Sequence, residues 1–216
     1  MLTISANKLA GICLIIGPMG ATIIFILLTV ILGDSNVEPT EFSKVAIGIA
    51  GRTSLETLLA LLPPIFLVLT LYGISILRSD MKSGDAVWGL GQMMFAVGVF
   101  SSVIASALIK PLEFGLDLSN GETMAALNGA VGSYGGLIFT LGIILIALVY
   151  ASNKEGGLRI GAYITALAFL VSFVVQLISW VDTSIWTLTG SVVGISYIVV
   201  SIWNVFVGRD LRKHSI

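Results

Sequence analysis

The sequence predicts an all-α, polytopic membrane protein, a bundle of six transmembrane helices with both termini cytoplasmic. Composition is the first reason. Of 216 residues, 56% are hydrophobic and 11% charged, against about 25% charged in a soluble domain. The second is placement. Six apolar stretches covering 142 residues contain a single charge, Glu56, where even scatter would put about fifteen. The third is the asymmetry of the connections, where basic residues collect on one side.

A hydrocarbon core about 30 Å thick takes about 20 apolar helical residues to cross. That places spans at residues 9–32, 54–77, 86–109, 128–151, 160–181 and 184–207, in one integral domain over residues 1–216. The first apolar run exceeds the 7–15 residues of a signal-peptide core and is expected to remain as a helix. One side of this layout receives Lys8, Arg78, Lys82, Lys154, Arg159, Arg209, Arg212 and Lys213, eight of the eleven basic residues. The other holds Lys44, Arg52 and Lys110 with the acids Asp34, Glu38, Glu41, Glu56, Glu113, Asp117, Glu122 and Asp182. The positive-inside rule then puts both termini in the cytoplasm of a cell-membrane protein, and an even number of spans follows. Trp88 and Trp203 fall near the inner ends and Trp180 and Trp186 near the outer ends, as expected of aromatic belts.

Between the spans, Phe42, Val45, Ala46 and Ile49 recur at helical spacing with Glu41 and Lys44 opposite, the pattern of a helix lying along the interface. Ser119 and Glu122 form an S-x-x-E capping box that would start the fourth helix early and carry it beyond the lipid. Only Asp182 and Thr183 join the last two spans, which requires a tight antiparallel hairpin. The basic tail from Arg209 to Ile216 resembles a segment that touches anionic headgroups.

Helices in lipid associate closely where small residues let backbones touch. Such stripes are Gly91, Gly98, Ser102 and Ala105 in the third span, Gly129, Gly132 and Gly136 in the fourth, and Gly190, Gly194, Ser201 and Asn204 in the sixth. Gly190 and Gly194 make a GxxxG match. Helix breaks are expected at Pro18 in the first span, freeing the Leu14 carbonyl, and at Pro63 and Pro64 in the second, freeing those of Leu59 and Ala60. Such carbonyls need other partners in hydrocarbon, and in transporters interrupted helices mark substrate or ion sites.

The candidate polar or ion-site residues are Glu56, Arg52, Gln176, Asp182 and Asn204. Glu56 lies inside a span, where an acid is by default a functional hypothesis. Yet Thr53-Ser-Leu-Glu56 also fits a capping box, with Arg52 as an available counter-ion. Asp182 precedes Thr183 and Ser184 as an N-cap would. Gln176, with Ser172 and Ser179 on one helix face, and Asn204 read as interhelical hydrogen-bonding groups or as parts of a polar pathway.

The near balance of 11 basic and 12 acidic residues gives no footprint for nucleic acid. One cysteine, Cys13, permits no intrachain disulfide, and one histidine, His214, gives no ligand set for zinc, haem or an iron–sulfur centre. No cofactor or metal is expected, and no nucleophile–base pair, phosphate loop or HExxH pattern points to an enzyme.

Lys8-Leu9-Ala10-Gly11 entering the first span, six spans of similar length and the closing Ser201-Ile-Trp-Asn-Val-Phe-Val-Gly208 resemble six-helix families of bacterial and archaeal membrane proteins classed as domains of unknown function. The resemblance implies the topology and no catalytic residue. Two functional expectations stand side by side: a non-catalytic structural or accessory subunit in contact with the bilayer and with other membrane subunits or copies of itself, and a small transporter or channel built on the interrupted first and second helices.

Overall fold

Backbone groups in hydrocarbon must satisfy one another within a segment, which favours helices. The computed structural model, which describes residues 4–28, 41–113 and 120–213, is all-α, and no described residue lies in a strand. Its elements are α1 (Ala6–Ile26), α2 (Phe42–Ala50), α3 (Ser54–Ala60), α4 (Leu62–Leu77), α5 (Asp85–Leu108), α6 (Lys110–Glu113), α7 (Gly121–Asn153), α8 (Gly156–Val181) and α9 (Trp186–Lys213). Six helical passes are long and apolar enough to cross a membrane. Large apolar side chains stand exposed along them, among them Phe100 (61%), Leu167 (62%) and Val181 (91%). An apolar exterior of that extent is foreign to soluble monomers.

Neighbouring passes form a closed circuit: α1 against α4, α4 against α5, α5 against α7, α7 against α8, α8 against α9, and α9 back against α1. Both described ends of the chain therefore lie at one end of the bundle. That end carries Lys8, Arg78, Lys82, Lys154, Arg159, Arg209, Arg212 and Lys213, and is called here the basic end.

The second pass is divided at Leu61. Its amide bonds the Leu58 carbonyl at 3.2 Å, and Pro63 and Pro64 then fall in the first turn of α4, where a missing N–H costs little. At 16 residues α4 is about 24 Å long, too short to cross alone, and α3 supplies the remainder. By contrast α1 continues through Pro18 without a change of helix. α7, at 33 residues, extends about 50 Å and outreaches the hydrocarbon. Its start at Gly121 has no side-chain cap, and Ser119 of the expected capping box lies outside the described residues.

Close packing rests on glycine. A Cβ on Gly98 would stand 2.4 Å from the Phe139 Cβ, and one on Gly142 would stand 2.6 Å from the Phe95 amide nitrogen and 2.7 Å from the Gly91 carbonyl oxygen. Gly91 and Gly98 on α5 thus face Gly142 and Gly135 on α7, two antiparallel pairs with the same seven-residue spacing. The α7 face differs from the expected one. A Cβ on Gly132 meets nothing within 4 Å, and one on Gly136 comes no nearer than 3.5 Å to the Gln176 side chain. Gly190 and Gly194 also have no neighbour within 4 Å. α1 is fixed in the same way, by Gly11 against Gly208 of α9 and by Gly17 against the α4 backbone at Phe66 and Thr70.

The main core lies towards the basic end and includes Leu14, Ile74, Trp88, Phe95, Ile146, Tyr150, Trp203 and Val207. Trp88 (0% exposed) and Trp203 (6%) are core residues, which corrects their reading as interfacial belt, whereas Trp180 is 40% exposed. A second, small core at the opposite end joins Ala46 and Ile49 of α2 to Ile109, Leu112 and Ala125, with Phe42 and Val45 packed against it. The apolar face of α2 is therefore turned onto protein, not onto lipid.

Since the Gly142 contacts are backbone atoms, Gly142→Ala must push α5 and α7 apart and should destabilise the protein by about 1–3 kcal/mol. Gly132→Ala meets open space and should be neutral or stabilising by up to about 1 kcal/mol through helix propensity. Thermal unfolding of both variants in detergent checks the pair. Equal melting temperatures would contradict the glycine-fixed interface.

Candidate functional site

Hydroxyls and amides inside a lipid-embedded bundle are held by partners on neighbouring helices or by the carbonyl one turn back. One such group joins α1 to α9. Ser201 donates to the Pro18 carbonyl at 3.0 Å, and the Thr22 hydroxyl lies 2.8 Å from the Ser201 oxygen. Either hydroxyl can donate to the other, and Thr22 also reaches the Tyr197 carbonyl at 3.5 Å. The proline in α1 thus sits where a foreign helix supplies a donor, and Thr22 and Ser201 are both buried.

Gln176 makes the equivalent link between α8 and α7. Its amide nitrogen donates towards Thr140 Oγ1 at 3.3 Å, Ser172 Oγ at 3.1 Å and the Ser172 carbonyl at 3.2 Å. Asn204, 4% exposed, donates to the Val200 carbonyl at 2.9 Å. It also lines the central cavity together with Pro18, Thr70, Phe139, Tyr197 and Trp203. That cavity is ≈ 30 Å³, room for a water or two, and its walls are mostly apolar. Phe95, Phe139 and Tyr197 stack through its middle, with ring centroids 4.6 Å and 5.8 Å apart.

The charged candidates lie at the end of the bundle opposite the basic one, called here the acidic end. Thr53 and Glu56 form a complete capping box: the Thr53 amide and hydroxyl both donate to Glu56 Oε2, at 2.6 Å and 2.8 Å, and the Glu56 amide donates back to the Thr53 hydroxyl at 3.3 Å. Arg52, expected as a counter-ion for Glu56, instead pairs with Glu113 at 3.0 Å, and Lys110 pairs with the same carboxylate. The Glu113 side chain is fully covered while its two cations are about a quarter exposed. This triad ties the turn after α2 to α6. Asp182 accepts from the Ser184 amide at 3.0 Å. Hydrogen bonds from the Ser184 hydroxyl and amide hold its carboxyl below the usual aspartate range, so the cap operates above the ordinary aspartate pKa and fades as pH falls through the lower folded value.

The five candidates therefore do not meet. Glu56, Arg52 and Asp182 belong to caps and to the ion triad around the buried Glu113, Gln176 to the α7–α8 contact, and of the five only Asn204 lines the central cavity. Among the described residues no group of three or more His, Cys, Asp or Glu side chains comes together.

Sequence reasoning passed over a different set. Among the described residues, four buried side-chain polar atoms lack a hydrogen-bond partner: Trp88 Nε1, Gln92 Oε1, Tyr150 OH and Trp203 Nε1. All four lie in the half of the bundle nearer the basic end, where Tyr150 and Trp203 meet edge-on with centroids 5.3 Å apart, and the Gln92 amide nitrogen reaches Ser75 on α4 at 2.9 Å. Position near a span end points Trp88 and Trp203 to an aromatic belt and says nothing of Tyr150, so Gln92, an amide in an apolar run, is the available sequence signal.

The chain matches no protein-family model, no curated protein and no solved structure.

The capping geometry sets the expected behaviour of Glu56. Because Gln also serves at the third position of a capping box, Glu56→Gln should cost well under 1 kcal/mol, whereas Thr53→Ala should cost about 1 kcal/mol. Chemical or thermal unfolding of the two variants measures both. A Glu56→Gln loss exceeding that of Thr53→Ala would mean that the charge has a duty beyond the cap.

Proposed function

We propose that this protein is a non-catalytic integral membrane bundle that serves as a structural or accessory subunit of a membrane assembly. The observation that carries the reading is the closed interior. Glycine pairs bring the helices together, aromatic rings fill the middle, and the remaining central cavity is ≈ 30 Å³. A solute pathway needs polar groups in continuity, and the sequence candidates are spread over caps, an ion triad and separate helix contacts. The rival reading, a transporter on interrupted helices, has less support. α1 runs unbroken through Pro18.

An accessory subunit needs an outward surface for another helix. On α9 the GxxxG pair Gly190 and Gly194 has nothing within 4 Å, and small residues facing lipid permit the close approach of a neighbour. Gly190→Ile with Gly194→Ile should leave the fold intact, because among the described residues a Cβ at either position meets nothing within 4 Å. It should lower recovery of a co-purifying membrane partner or second copy by about tenfold, corresponding to ~1.4 kcal/mol. Native purification in mild detergent, comparing wild type with the double variant, provides the measurement. A wild-type protein that runs alone and monomeric, and that conducts ions or solutes in proteoliposomes above empty vesicles, would overturn the reading.

The same reading places both termini in the cytoplasm of the cell membrane, on the support of the eight basic residues gathered at the terminal end. In a Cys13→Ser background, cysteines introduced at Lys82 and Lys154 should stay unlabelled by an impermeant maleimide in intact cells and react fully after permeabilisation. Labelling of either position from outside would reverse the orientation.

A further inference from the structure

We propose that the central cavity is a binding site for an ordered water, which donates to Asn204 of α9 and Thr70 of α4 and joins those two helices across the middle of the bundle. This inference does not rest on the accessory-subunit reading. The cavity measures ≈ 30 Å³, and about 10–15 Å³ is enough to admit a water. Its walls come from α1, α4, α5, α7 and α9. Size alone does not decide occupancy, because an apolar void stays dry and a wet one needs at least two polar partners.

Asn204 is the first partner. It is 4% exposed, and among the described residues its one hydrogen bond runs from Nδ2 to the Val200 carbonyl. No N–H or O–H of those residues reaches its Oδ1. That oxygen is not one of the four sealed, unpartnered atoms of the basic half, so it opens onto free space, and the space that Asn204 lines is this cavity. Left dry, an amide oxygen there would carry the full cost of its lost hydration.

Thr70 is the second. Its hydroxyl donates to the Phe66 carbonyl at 2.9 Å, which commits its only proton and leaves the oxygen as an acceptor. α1 brings the two residues to one level. Thr70 Oγ1 lies against Gly17, Ser201 donates to the adjoining Pro18 carbonyl at 3.0 Å, and Asn204 follows Ser201 by three positions on the same face of α9. Two acceptors on one small cavity call for a neutral molecule with two protons to give, which is water. α4 and α9 are not neighbours in the circuit of passes, so this water supplies a link that the side chains alone do not. Trp203 also lines the cavity, but its Cδ1 and Nε1 edge lies by Gly161 of α8, and the indole takes no part. A cation is the poorer occupant. Among the described residues no carboxylate lines the cavity, and neutral oxygens alone do not offset the desolvation of a charge in hydrocarbon.

Water-edited solid-state NMR of the protein in lipid bilayers reads the site, because magnetisation passes from water to the groups it touches. Wild type should show transfer to the Asn204 side-chain amide and none to the sealed Trp88 indole N–H. Thr70→Val removes one acceptor at nearly constant shape, and transfer to Asn204 should fall about fivefold, the effect of one net hydrogen bond. Asn204→Leu should abolish transfer to the Thr70 side chain, and Thr70→Val decides alone should the leucine variant fail to fold. Replacing sodium by choline should change nothing. A wild-type Asn204 as dry as Trp88, undiminished transfer in Thr70→Val, or a signal that vanishes without sodium would each overturn the proposal.

Discussion

The structure depends on backbone contact between helices at glycine. In water the bundle would be driven together by burial of leucine and isoleucine, but lipid tails are as apolar as those side chains and supply no comparable force. Dispersion and close approach remain, and they act only where nothing intervenes between two main chains. Gly91 and Gly98 against Gly142 and Gly135 provide this for α5 and α7, and Gly11 against Gly208 provides it for α1 and α9. Once these contacts are fixed, larger residues must fill the space between them. Phe95 packs on Phe139, and Tyr197 continues the stack. The small cavity is a consequence of that order.

Hydropathy made the passes legible, because a 30 Å hydrocarbon slab imposes length and composition at once. Caps were legible for a similar reason: a capping box spans four residues, and Thr53 with Glu56 closes as a local geometric unit. Helix phase was not legible. A helix apolar on every side gives no moment to show which face meets protein, so Gly132 and Gly136 were grouped by spacing while Gly135 and Gly142 face α5. Trp88 and Trp203 failed in the same way, since position near a span end does not say whether an indole points to headgroups or to the core. Arg52 found Glu113, 61 residues away, and pairing at that distance cannot be read from local sequence.

The two prolines sites show how context decides whether a break occurs. At Pro63 and Pro64 the chain ends one helix and starts another, and the prolines take the early positions where a missing N–H matters least. At Pro18 the helix continues, packed on both sides: Gly17 meets the α4 backbone, and Ser201 of α9 donates to the Pro18 carbonyl. An identical residue type thus divides the pass whose α3 segment has no buried residue and stays within the helix held between two neighbours.

The ends of the bundle are unequal, and the inequality runs against the distribution of satisfied polar groups. At the acidic end the carboxylates close onto partners: Glu56 onto Thr53, Glu113 onto Arg52 and Lys110, Asp182 onto Ser184. The main core lies towards the basic end, yet that half holds Trp88, Gln92, Tyr150 and Trp203 with unpartnered polar atoms. Packing and polar satisfaction normally rise together, because an orphaned donor in a dry core costs free energy that a methyl group of the same size would not. Aromatic size alone is supplied by phenylalanine at no such cost. Trp88, Tyr150 and Trp203 are all buried, so their indole and phenol groups are closed off from headgroup oxygens. The unmet polar capacity of the described residues is therefore concentrated inside the half of the bundle nearer the basic end.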